Sequence, residues 1–70
     1  MLGTVRFFDE KHGYGFITSL GIDQDIFVHY SQIKLKGRKV LKPGQEVSFI
    51  LVEGEKGPAA ESVRVMEDPA

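Results

Sequence analysis

The stretch DIFVHY, Asp25 to Tyr30, alternates apolar and polar or aromatic residues without a break. Successive side chains of a strand point to opposite faces, so it divides into Asp25, Phe27 and His29 against Ile26, Val28 and Tyr30. The aliphatic pair takes the core. The reverse assignment would bury two ionisable groups while leaving Ile26 and Val28 in water, and both changes cost free energy. Phe27 is thereby left on the solvent face, beside a histidine.

Upstream, KHGYGFI, Lys11 to Ile17, sets Tyr14 and Phe16 against Gly15 and Ile17. Periodicity alone accepts either side for the rings. If this segment pairs with Asp25–Tyr30 through the loop near Gly21, the two strands share an aromatic face of Tyr14, Phe16, Phe27 and His29. Gly15 then points into an interior with little room, and Ile17 becomes the core residue. A contiguous aromatic patch on so small a protein marks a binding site; the competing reading places Tyr14 and Phe16 in the core.

Further strands are expected at Thr4–Phe8, Val47–Val52 and Ser62–Met66, each rich in β-branched or aromatic residues. Between them lies turn chemistry: Gly13, Gly21, Lys42-Pro43-Gly44-Gln45 with Pro and Gly in type II positions, and Gly54-Glu55-Lys56-Gly57-Pro58. Ser31–Lys36 is too short for more than a turn of helix. Five short strands in 70 residues suggest an all-β fold, a small antiparallel barrel that leaves few edges unpaired. Glu67-Asp68-Pro69-Ala70 reads as a flexible tail after a single domain over residues 1–66.

A chain of this length supports one core, and without cysteine it has neither a disulfide framework nor enough ligands for structural zinc. No apolar run is long enough to span a membrane, and Met1-Leu2-Gly3 does not resemble the start of a signal peptide. A cytoplasmic protein that needs no cofactor is expected. The net charge is −1, yet Lys34, Lys36, Arg38, Lys39 and Lys42 put five of the nine basic residues in one segment free of acids. Because salt screens charges beyond about 8–10 Å, such a sector attracts phosphates whatever the net charge. A solvated lysine-rich loop is the plainer reading of the same residues.

Gly13-Tyr14-Gly15-Phe16-Ile17 followed by Ile26-Phe27-Val28-His29-Tyr30 resembles the paired ribonucleoprotein-type motifs of the bacterial cold-shock proteins. The similarity extends from Gly3-Thr4-Val5-Arg6-Phe7-Phe8 through Leu41-Lys42-Pro43-Gly44-Gln45 to Gly54–Ala60 and covers nearly the whole chain. It implies a five-stranded OB-type β-barrel that binds single-stranded RNA and DNA, preferring pyrimidine-rich segments. It also implies action as an RNA chaperone, transcription antiterminator and regulator of gene expression in the stress response. Phe7, Phe16, Phe27, His29 and Tyr30, with Tyr14 beside them, would stack bases. Arg6, Lys11, Arg38, Lys39 and Lys56 would follow the backbone, Lys56-Gly57-Pro58 would form a rigid loop, and Asp25 with Gln24 would meet base edges.

Four residues depart from the family pattern. Phe7 stands where tryptophan is usual, and strict alternation from Val5 sends it inward, so its place on the face requires a bulge. His12 replaces a lysine, making a fixed charge depend on pH. Asp9 replaces an asparagine and adds an acid near the phosphate path. Arg38 replaces a phenylalanine, exchanging a ring for a guanidinium. No nucleophile sits in a recognisable setting and no loop resembles a phosphate cradle, so an enzyme is not expected. The alternative function is a protein-interaction OB module docking on a ribosomal or transcription assembly. A monomer is expected, although the long Ser31–Lys42 connection leaves room for a strand-swapped dimer.

Overall fold

The computed structural model describes residues 1–35 and 40–66. Lys36, Arg38, Lys39 and the tail from residue 67 therefore lie outside the described residues. The five expected strands are present as β1 (Leu2–Asp9), β2 (Tyr14–Ser19), β3 (Ile22–His29), β4 (Glu46–Gly54) and β5 (Gly57–Val65). They close into a barrel in the order β1-β2-β3-β5-β4. Every pairing is antiparallel except that of β3 with β5, which runs parallel at Phe27↔Ala59. An odd-stranded ring forces this: strand direction cannot alternate all the way round five members, so one seam must be parallel.

Ile26, Val28 and Ile17 are fully buried, joined by Val5, Ile33, Leu41, Val47, Phe49, Ala60 and Val63. Among the described residues no polar or charged side chain is buried, so apolar packing forms the interior. Gly15 is buried between the outward Tyr14 and Phe16. A Cβ there would overlap the Phe7 carbonyl and lie 2.8 Å from Phe8 Cδ1, so the Phe8 ring takes the space that Gly15 leaves.

Two strands run further than their composition suggests. The segment Gly54–Pro58 is mostly strand, because Gly54 pairs with Gly57 and only Glu55-Lys56 forms the hairpin turn. Pro58 precedes the point at which β5 meets β3, so its missing N–H leaves that seam intact. The chain after β3 makes a 3-10 turn over Tyr30–Gln32 and then lies beside β5, with Lys34 N–H donating to Val63 O at 2.8 Å. Lys42-Pro43-Gly44-Gln45 is the expected type of turn: Gly44 has φ +90° and Gln45 N–H returns to Lys42 O at 3.1 Å. It docks on β1, where Gly44 N–H donates to Val5 O and Val5 N–H to Gln45 O, both at 2.8 Å. Among the described residues no helix is long and apolar enough to cross a membrane.

Candidate nucleic-acid interface

Beyond Val5, β1 leaves β4 and pairs with β2 alone, and at that point the ladder slips. Val5 opposes Ile17, but Phe7 opposes Phe16, so Arg6 is the extra residue of a β-bulge. Arg6 and Phe7 therefore both face outward, and Phe8 turns back toward the core. The required bulge exists.

Once Phe7 is outside, the registers line up two rows across three strands. Phe7, Phe16 and Phe27 form one row; Asp9, Tyr14 and His29 form the next. Neighbouring ring centroids lie 5.5 Å apart for Phe7 and Phe16 and 6.0 Å for Phe16 and Phe27, with Tyr14 stacked at 5.9 Å on Phe27. Edge-to-face contacts from Tyr14 to Phe7 and Phe16 tie the rows together. The patch is nonetheless open, since Phe7, Phe27 and Tyr30 are 40 %, 39 % and 48 % exposed. Tyr14 and Phe16 are half-buried because they also support the other rings.

His29 and Tyr30 extend this face at the end of β3, their rings 4.6 Å apart. His29 caps the 3-10 turn: its Nδ1 accepts the Ser31 N–H at 3.3 Å and lies 2.8 Å from Ser31 Oγ. Tyr30 folds over Gly13, where a Cβ would come within 2.7 Å of the ring. Ser31 is a contributor that reading by residue type passes over; its only signal is a hydroxyl two residues after a histidine.

Three of the charged candidates, Arg6, Asp25 and His12, prove to be paired. Arg6 and Asp25 lie on the strands flanking β2, and their 2.7 Å contact bridges it at the edge of the phenylalanine row. The acid expected to read base edges and the cation expected to follow phosphate thus form one unit, with Arg6 keeping its other donors. Asp9 and His12 are partners too, Oδ2 to Nδ1 at 2.6 Å. That hydrogen bond from His12 is the main cause that holds the Asp9 carboxyl below its ordinary range, assisted by backbone N–H groups of His12 and Lys11. Lys11 is exposed in the same loop. Lys56, Gly57 and Pro58 occupy the hairpin end of β5, next to Ala59, which pairs with Phe27. Among the described residues no group of three His, Cys, Asp or Glu is placed to hold a metal ion.

Residues 1–66 match the family model described as the 'Cold-shock' DNA-binding domain. A cold shock-like protein of Thermotoga maritima is 52 % identical over 69 residues, which is 96 % of this chain and all of that one. Cold shock-like protein of Aquifex aeolicus is 48 % identical over 64 residues, 91 % of each chain. A solved structure of Drosophila Unr superposes with a TM-score of 0.77 at 20 % identity over 99 % of this chain, which spans 27 % of that one, and it shows the same fold. By sequence over residues 1–66, the chain belongs to the cold-shock DNA-binding domain family, whose members are nucleic-acid binders rather than enzymes.

Proposed function

We propose that the protein binds unpaired RNA and DNA by stacking successive bases on the two outward rows of rings. The carrying observation is the continuous row Phe7, Phe16 and Phe27 across three adjacent strands, outside the core and with Phe7 and Phe27 exposed. A flat ring on a rigid strand stacks on any base without reading its edge, so binding is tolerant of sequence. Each stack contributes roughly 1–3 kcal/mol by alanine substitution. Phe7, Phe16, Phe27, His29 and Tyr30, with Tyr14, are the platforms. Duplex is refused because its bases already stack on one another.

Arg6, Lys11, Arg38, Lys39 and Lys56 follow the phosphates, joined by His12 in its charged form, with Gly57 and Pro58 stiffening the edge, while Asp25 and Gln24 hydrogen-bond base edges and give a mild sequence preference. Binding that captures open segments and releases them quickly shifts RNA hairpins toward open forms without ATP. That is the action of an RNA chaperone and transcription antiterminator, exerted in the cytoplasm by a monomer. Melting of an RNA hairpin in excess protein tests it: a lowered melting temperature is expected, and an unchanged one contradicts the chaperone reading.

A further inference from the structure

Asp9 and His12, two of the departures from the family pattern, are bonded to each other in the loop that leads into β2. Asp9 Oδ1 accepts the backbone N–H groups of Lys11 at 3.0 Å and His12 at 3.2 Å, while Oδ2 stands 2.6 Å from His12 Nδ1. An ionised carboxylate can only accept, so Nδ1 is the donor and the neutral ring carries its single proton there. Nε2 is then a bare lone pair. His29 holds the opposite tautomer, because its Nδ1 accepts from Ser31 N–H and its proton must sit on Nε2.

We propose that His12 is a proton-dependent phosphate ligand positioned by Asp9, engaging a nucleic-acid strand only in its charged, doubly protonated form. The inference rests on the single-strand reading above. Phosphate oxygens are acceptors, and so is the bare Nε2; the neutral ring held by Asp9 has nothing to offer them. Protonation places an N–H on Nε2 and makes the Asp9–His12 pair neutral in the same step. Both changes favour the strand. The ring is bonded to Asp9 of β1 and has Tyr14 of β2 with its ring centroid 6.4 Å away; Glu10 and Lys11 adjoin it in sequence, and His29 is paired with Tyr14 across β2 and β3. Asp9 touches no phosphate in this scheme, because all three of its bonds are turned into the loop. It fixes which nitrogen of His12 faces the ligand.

The test measures the affinity of labelled heptathymidine at pH 8 and pH 6, together with the His12 tautomer from long-range proton–nitrogen-15 correlations. Thymine does not titrate in this range. Binding by the parent chain is expected to tighten about three- to fivefold at the lower pH, the scale of one exposed charge contact. His12→Asn, which leaves His29 in place, loses that gain; His12→Lys binds as well at pH 8 as at pH 6. Asp9→Ala lets the neutral ring move its proton to Nε2, so the variant donates at pH 8 and its gain shrinks. A parent chain with the same affinity at both pH values, or with the neutral His12 proton on Nε2, overturns the proposal. Absence of binding by every variant at both pH values overturns it too, and takes the single-strand reading with it.

Discussion

Phe27 and Ile26 are adjacent in sequence and point to opposite faces of β3, one exposed and one fully buried. Phe27→Ala is expected to weaken heptathymidine binding by roughly 1–3 kcal/mol and to cost less stability than a core truncation, because the ring lies on the outer face and is 39 % exposed. Ile26→Ala is expected to destabilise the fold by about 2–5 kcal/mol through lost burial and the cavity left behind. Anisotropy titration and thermal unfolding of the two variants separate the roles. Asp9 adds a pH prediction. Its carboxyl is held below the ordinary 3.8 by the His12 hydrogen bond, so its contribution to stability is present above that value and is lost as pH falls through the lowered folded value. Asp9→Asn should flatten the stability profile in that acid range, read by thermal unfolding from pH 5 downward; an unaltered profile would contradict the pairing. At this scale the sequence was most legible where alternation is strict. DIFVHY sorts itself by face because two aliphatics cannot be traded for an acid and a histidine. The Asp9–His12 and Arg6–Asp25 pairs were not legible, since a loop in the first case and a bulge in the second bring the partners together, and neither leaves a periodic trace.

The element that decides the interface is β1. Its bulge turns a residue that alternation sends inward into the first member of the phenylalanine row. Removing Arg6 from the chain takes away the extra residue and restores plain alternation, with Val5 still opposite Ile17 and Phe7 still opposite Phe16, so the Phe7 ring should stay on the outer face. Heptathymidine binding is expected to weaken only by the loss of the Arg6 contact; a loss as large as that of Phe7→Ala would mean that the row needs the bulge itself. Opposite the bulge, Gly15→Ala is expected to cost about 1–3 kcal/mol of stability because Phe8 and the β1 backbone already fill its Cβ position. A second irregularity sits in β5, where the register shifts opposite Ser48–Ile50 and Ser62 has φ +51°. Left-handed backbone disfavours branched side chains, so Ser62→Val should destabilise by roughly 1–2 kcal/mol. Bulges were the elements least visible in the sequence: the need for one at Phe7 followed only from the resemblance, and nothing pointed to the one at Ser62. The extension of β4 and β5 toward Gly54 and Gly57 was hidden for another reason. A Gly-Pro-rich segment reads as a loop until the partner strand is known.

For the molecule as a whole, the barrel was readable from strand count and turn spacing. Its parallel seam follows from closing an odd number of strands, a constraint that no local pattern carries. Charge is a property of the same scale. With Phe7 and Arg38 in place of larger rings, binding should lean on phosphate contacts, and the logarithm of affinity should fall against the logarithm of salt by about 0.7 per phosphate neutralised. Arg38→Phe should flatten that slope; a changed affinity at constant slope would remove Arg38 from the phosphate path. The most direct measurement of the central claim is fluorescence anisotropy of labelled heptathymidine across a salt series, with the matching duplex as control. The label belongs on the nucleic acid, since the chain has no tryptophan. Stacking on the two rows of rings predicts tight binding of the single strand, persisting into moderate salt, with little binding of the duplex. Equal binding of both forms that vanishes by moderate salt would contradict it and leave only the lysine-rich segment at work.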